Sequence, residues 1–291
     1  MALPLGSWQD LLDFSADPDN TGSLEAYWDG DDVVDFDDLG IGPFYDTVTI
    51  KGVIDFNGVT FRNMTWYQAG NNGCLYFVTG KNSETGNNTV KNLVIDQLTY
   101  EPTNQSTNRV IIKQNIIGNS SGHFENCKFG LISYASASSA SNSPVQFFYS
   151  NGPATQSCAF NLKSVCNTGY IQMSNGSTSI MRDCLFDLDI KYNSNSNIEF
   201  GNMYLTNCLI RGKVENEYPN TSYPPKFVNS NNKYNNYLLE GTYNITSAGG
   251  VSIYDNTKMI LTTSPSSMIG YDPSNPDMGA LADAGFPCQG G

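Results

Sequence analysis

A right-handed, single-stranded parallel β-helix, an all-β solenoid, is the fold class the sequence predicts, on three observations. The hexapeptide Phe61-Arg62-Asn63-Met64-Thr65-Trp66, apolar-x-Asn/Asp-apolar-x-apolar, returns at Val90 to Ile95, Phe124 to Phe129, Met181 to Phe186 and Leu205 to Ile210. Its polar members, Asn63, Asn92, Asn126, Asp183 and Asn207, stand 29, 34, 57 and 24 residues apart, and 57 reads as two periods with one copy missed. A fixed period in this range signals a solenoid. Alternate side chains of a strand share a face. The two apolar positions after the Asn obey that rule and the one before it does not, so the chain bends at the Asn, a residue tolerant of left-handed backbone. Charged residues are only 15% of the chain and aromatics 12%, the profile of many short strands joined by polar, uncharged turns.

From the N-terminus, Ser7-Trp8-Gln9-Asp10-Leu11-Leu12-Asp13-Phe14 reads as a short amphipathic helix with Ser7 as N-cap and Trp8, Leu11 and Leu12 on one side, placed to cap an open solenoid end. Residues 16–40 hold an acidic cluster, Asp29, Asp31, Asp32, Asp35, Asp37 and Asp38, interleaved with Trp28, Val33, Val34 and Phe36. Oxygen-rich loops suit Ca²⁺, which makes Asp31, Asp35 and Asp37 the candidate metal ligands. Leu39 stands where a third ligand of the nearest loop pattern belongs, so a solvated loop and no metal is expected. Residues 1–45 form a cap or attachment segment on this view.

The β pattern begins at Thr47, with Asn57-Gly58 as a turn signal, and continues through Cys74 to Val78, Val110 to Ile112, Gln146 to Tyr149, Tyr170 to Met173, Tyr237 to Leu239 and Val251 to Tyr254. Residues 46–262 then make on the order of eight rungs, about 40 Å of stack. The five polar residues are expected to line one edge as a hydrogen-bonded ladder. Met64, Leu93, Cys127, Cys184 and Cys208 are expected to form one buried column and Trp66, Ile95, Phe129, Phe186 and Ile210 a second. The cysteines in the first column read as stacked free thiols. Ser133 to Ser143 and Asn216 to Asn236 read as long excursions from the stack. Tyr218, Tyr223 and Tyr234 on the second are the candidate ligand-contacting residues, since tyrosine offers a flat apolar face with a polar tip. Residues 263–291 form a tail in which Asn275 to Gly285 reads as one short helix, Asn275 its N-cap and Pro276 its first residue.

Charge and motifs exclude several function classes. A formal net charge of −13, from 28 acidic against 15 basic residues, argues against nucleic acid or an anionic membrane as partner. No long apolar run or leader-like segment is visible, so neither membrane insertion nor export is expected. The lone His123 reads as a turn residue. With no phosphate loop, HExxH, paired CxxC or GxSxG, no cofactor is expected. The surviving catalytic candidates are Asp187 and Asp189, two apart on one strand face with Arg182 and Lys191 nearby, as a polysaccharide-cleaving site would need.

Val53-Ile54-Asp55-Phe56-Asn57-Gly58-Val59-Thr60-Phe61-Arg62-Asn63 resembles the first rung of β-helix virion proteins of tailed bacteriophages, in which such a sequence follows a Trp-x-x-Leu helix like that of Trp8 to Leu11. Ala280 to Pro287 is similar to the Leu-x-x-x-Gly-Phe-Pro ending of such chains. The resemblance implies a virion structural protein, a homotrimeric head fibre or tail spike assembled in the bacterial cytoplasm. It would contact other virion proteins through its N-terminal segment and a host-surface glycan through its loops. The alternative of the same fold is a polysaccharide depolymerase spike.

Overall fold

The computed structural model describes residues 2–68, 72–80, 89–102, 110–116, 123–134, 145–150, 154–165, 171–182, 184–192, 198–206, 208–217, 226–229, 236–240, 242–246, 252–256 and 259–261. These residues are mostly β, with one helix, α1 (Trp8–Ala16). The first strands are β1 (Leu3–Leu5), β2 (Glu25–Trp28), β3 (Val33–Asp35), β4 (Val48–Lys51), β5 (Val53–Asp55), β6 (Thr60–Arg62) and β7 (Met64–Trp66). The next periods hold β8 (Leu75–Thr79), β9 (Thr89–Lys91), β10 (Val94–Tyr100), then β11 (Val110–Ile116), β12 (His123–Glu125), β13 (Lys128–Ser133), then β14 (Val145–Ser150), β15 (Ala154–Gln156), β16 (Ala159–Val165). Longer strands follow: β17 (Ile171–Arg182), β18 (Leu185–Tyr192), β19 (Ile198–Thr206) and β20 (Leu209–Asn216). The last are β21 (Lys226–Asn229), β22 (Asn236–Glu240), β23 (Thr242–Thr246), β24 (Ser252–Asn256) and β25 (Met259–Leu261).

Each strand of the repeating body pairs in parallel with the strand one period further along the chain. In one sheet β6, β10, β13, β16, β18, β20 and β22 follow one another. In the other, the long β17 joins two such runs, β2-β5-β9-β12-β15 and β4-β8-β11-β14, and β19 pairs with β17 to continue the sheet. Among the described residues, only β24 and β25, at the C-terminal side, pair antiparallel, with β23 and β22.

The corners between strands explain the repeat. Asn63, Asn92 and Asn126 adopt φ of 59°, 58° and 53°, the left-handed backbone that the broken alternation demands. The copy hidden in the 57-residue interval is Thr155 to Phe160, whose corner residue is Ser157 at φ 51°. A serine does the work of an asparagine there, so a search for Asn or Asp passes over it.

The predicted register needs one correction, at Asn63. Val94 pairs with Thr60 and Ile95 with Phe61, whereas Met64 pairs with Leu98. The corner equivalent to Asn92 is therefore Asn57-Gly58, whose Gly58 N–H donates to the Asn92 carbonyl at 2.8 Å. Asn63 sits at the following corner and donates to Asp35 Oδ1 at 2.9 Å. The first period carries two left-handed corners, and the hexapeptide match selects the wrong one. Asp183 and Asn207 lie outside the described residues.

The columns shift accordingly. The residues named for both are all buried. Phe61 takes the place of Trp66, and the column runs Phe61, Ile95, Phe129, Phe160, Phe186, Ile210. Its rings stack at 5.3 Å from Phe129 to Phe160 and at 5.1 Å, nearly parallel at 8°, from Phe160 to Phe186. Beside it, backbone bonds from each following residue link Val59, Leu93, Cys127 and Cys158, and Cys184 and Cys208 continue the same motif position. Cys74, Cys127, Cys158, Cys184 and Cys208 are buried free thiols. One position along, Leu98, Leu131, Leu162 and Leu188 stack in register and end at Gly212. Gly212 has φ 110°, and a Cβ on it would lie 2.1 Å from the Leu188 carbonyl oxygen, so only glycine fits.

The N-terminal segment is part of this body. β2 pairs with β5 and β3 with β6, so the sheets begin before residue 46, and residues 16–40 are more than a solvated loop. Trp28, Val34 and Phe36 are buried while Asp29, Asp31, Asp32, Asp37 and Asp38 point outward. Helix α1 starts as predicted, with Ser7 Oγ accepting from Asp10 N–H at 3.1 Å, and buries Trp8, Leu11 and Phe14; Leu12 is only half-buried. Trp8 meets Phe36 and Phe61 edge-on at 4.9 and 5.6 Å. Ser15 Oγ accepts from Lys51 N–H at 3.1 Å and Asn20 Nδ2 donates to the Lys51 carbonyl at 3.2 Å, so the helix segment satisfies the edge of β4. His123 opens strand β12 opposite Thr89 instead of lying in a turn. The predicted C-terminal helix lies outside the described residues.

Candidate functional site

Strand β18 alternates strictly: Phe186, Leu188, Ile190 and Tyr192 are buried, and Asp187, Asp189 and Lys191 face outward. The two candidate catalytic carboxylates do share a face. Both, however, are engaged across the strands. Asp187 Oδ2 accepts from Arg211 Nε at 3.1 Å and Nη2 at 2.9 Å, and Lys163 Nζ lies 3.7 Å from Asp189 Oδ2. These partners follow from register, since Asp187 pairs with Arg211 and Asp189 with Lys163. The neighbours expected from sequence differ: Lys191 serves Glu215 at 3.5 Å, and Arg182 belongs to β17 in the other sheet. Glu215 also takes Lys213, and the Lys213 hydrogen bond leads the causes holding its carboxyl below the ordinary range. Opposite charges opposite one another on neighbouring strands are how an exposed sheet face is stabilised.

Of the candidate metal ligands, Asp35 is engaged in hydrogen bonds and Asp31 and Asp37 face outward. Asp35 accepts from Asn63 Nδ2, from Arg62 Nε at 2.7 Å and from the Asp37 N–H at 3.1 Å, and these bonds, Asn63's foremost, hold its carboxyl below the ordinary value against partial desolvation. Among the described residues, no three His, Cys, Asp or Glu side chains converge on a point a metal ion would occupy. Asp31 and Asp37 are exposed.

Two clefts open at the N-terminal end. One, about 340 Å³, lies between β3 and the start of α1, with Trp8, Trp28, Val33 and Leu39 as apolar lining and Asp31 and Asp38 at its polar side. The other, about 200 Å³, runs between residues 37–43 and β7 and is lined by Asn63, Thr65 and Tyr67. Tyr45, 58% exposed, meets Tyr67 edge-on at 5.9 Å beside it. Two periods on, Tyr134 is also exposed. The sequence-predicted contact residues Tyr218, Tyr223 and Tyr234 lie outside the described residues.

Pattern reading missed one outward feature. Lys113 Nζ sits between the rings of Tyr76 and Tyr149, 5.3 and 5.8 Å from their centroids, and donates to Asn72 Oδ1 at 2.8 Å. Burial lowers its pKa. The three residues lie far apart in sequence and meet only because β8, β11 and β14 are in register. No protein family, no curated protein and no solved structure matches this chain.

Proposed function

We propose that this chain is a right-handed, single-stranded parallel β-helix serving as a non-enzymatic structural appendage of a bacteriophage particle. The observation that supports the reading most is the parallel, period-by-period pairing from β2 to β23 over buried columns of like side chains. Parallel strands joined by crossovers in one direction coil right-handedly. Such a body is a scaffold, stiffened by backbone bonds along its axis. The outward carboxylates Asp187 and Asp189 are tied to Arg211 and Lys163, which gives them a structural task. Residues 1–45 are the attachment end, and the chain assembles as a homotrimer with the exposed Tyr134 facing a glycan of the host surface.

The test is direct. Antibody against the purified chain, applied to intact particles in electron microscopy, labels a discrete appendage, and sedimentation at micromolar concentration gives a trimer. Particles without label, with the chain confined to the host cell, refute the reading. The depolymerase of the same fold is the second reading; carboxylate-dependent cleavage of capsule or wall glycan establishes it in place of the first.

A further inference from the structure

The first period of the stack has three exposed sides, and two of them are covered by the chain itself. The edge of β2 is covered by β1, paired in register from Leu3 with Ala26 to Leu5 with Trp28, and β1, three residues long, ends the sheet on that side with no further strand partner among the described residues. That of β4 is covered by α1, with Ser15 and Asn20 bonded to Lys51. The edge of β3 is different: among the described residues its one strand partner is β6. Its bonds toward β6 run from Asp32 and Phe36, Thr60 N–H donating to the Asp32 carbonyl at 2.8 Å and Phe36 N–H to the Arg62 carbonyl at 3.2 Å. Alternation therefore turns the backbone groups of Val33 and Asp35 the other way. The Asp35 carbonyl accepts from Leu39 N–H at 3.1 Å, which leaves the Val33 N–H and C=O and the Asp35 N–H facing outward.

The surroundings of this edge are apolar in a way the rest of the surface is not. Of the large hydrophobic side chains exposed among the described residues, Leu3, Val33, Leu39 and Tyr45 all belong to this end and only Tyr134 does not. Val33 and Leu39 flank the 340 Å³ cleft, which has room for a large side chain, and its walls include Trp8 and Trp28. Asp31 and Asp38 stand at the same cleft, and Arg62 is already spent on Asp35. An open strand edge is a template for another strand, and charge complementarity selects a basic one.

We propose that the free edge of β3 and the cleft beside it take up an extended segment of another protein as an added strand, one of its apolar side chains filling the cleft and an adjacent lysine or arginine facing Asp31 and Asp38. The inference rests on the reading that this end attaches to the particle, and it names the chemistry of the partner. Main-chain bonds to Val33 and Asp35 supply affinity, and the cleft and the carboxylates supply specificity. The β4 edge, sealed by α1, cannot serve.

Fluorescence anisotropy with labelled hexapeptides tests this on the whole chain. An alternating lysine–valine peptide binds saturably, its glutamate–valine counterpart binds at least tenfold more weakly, and a lysine–valine peptide N-methylated at every backbone nitrogen, unable to donate along a strand, does not bind. Hydrogen exchange slows at the amides of Val33 and Asp35 when the lysine–valine peptide is present. The exposed-site variant D31K/D38K, and separately Leu39→Ser, each lower affinity at least tenfold while leaving the circular dichroism unchanged. Absence of binding, binding indifferent to these substitutions, or protection at other strands overturns the proposal. So does protection of Val33 and Asp35 that grows with protein concentration alone, which makes a second copy the occupant. A chain that binds the peptide but is missing from particles refutes the appendage and leaves the docking edge standing.

Discussion

Asn126 donates its side-chain amide to Asn92 Oδ1 at 2.8 Å, and Asn92 donates in turn to Asp55 Oδ1 at 2.8 Å, so three successive periods are joined by side chains at one corner. Asn92 has two tasks, the bonds and a φ of 58°, and two substitutions separate them. Asn92→Ala loses both and lowers stability by about 2–3 kcal/mol. Asn92→Gly keeps the backbone conformation and costs about 1 kcal/mol less. Urea unfolding of the two variants measures the difference, and equal losses would show that the corner tolerates alanine.

Ser157 occupies the same kind of corner, at φ 51°, without asparagine's tolerance for it. Replacing it by asparagine relieves backbone strain and offers an amide to Asn126 Oδ1. Ser157→Asn raises stability by about 1 kcal/mol, visible as a higher melting temperature. A lower one refutes the alignment of this corner with those at Asn92 and Asn126.

Asp55 gives the corner a pH dependence. Burial pushes its carboxyl upward, but the Asn92 amide, the Asn57 N–H and Lys91 together outweigh that, and its pKa falls below the ordinary 3.8. Asp35 is lowered as well, chiefly by Asn63. A carboxyl depressed on folding stabilises above its unfolded pKa, and the contribution fades as pH falls through the folded one. Stability owed to these groups is therefore level near neutrality and declines as pH drops below about 4. Denaturation midpoints between pH 2 and 7 trace the decline, and Asp55→Asn makes it shallower. An unchanged slope in that variant removes Asp55 from the account.

For Asp187 and Asp189 the ion pairs set the expectation. Asp187→Asn and Asp189→Asn each cost at most about 1 kcal/mol, the range of exposed pairs. Release of reducing ends from bacterial capsule or wall glycan stays at background for parent and variants alike. Cleavage by the parent that either variant abolishes makes this face an active site.

Much of this was legible in the sequence because β periodicity and corner chemistry are local. Left-handed Asn63, Asn92 and Asn126, the buried residues after them and the Ser7 cap follow from neighbours a few positions away. What escaped depends on register, which is a relation between distant segments. The first period's double corner moved Asn63 out of the ladder, Asp187 met Arg211 from the next strand of its sheet, and Lys113 found two tyrosines from other periods. The acidic segment misled for another reason: its carboxylates are dense enough to hide the alternation of Trp28, Val34 and Phe36, which makes it the first layer of both sheets.

The thiol column from Cys127 through Cys158 and Cys184 to Cys208 places one sulfhydryl in each of four consecutive layers. It is thus a built-in counter of how far the chain has come apart. In a stack whose layers touch only their neighbours, unravelling can proceed from an end, and each layer that opens presents one more group to an alkylating reagent. Mass spectrometry of the peptides carrying these four cysteines, after brief labelling at graded urea, would show them modified in order from one end if layers peel. It would show a jump from none to all if the body melts as a unit. The residues that fill the core would then also record its mode of failure.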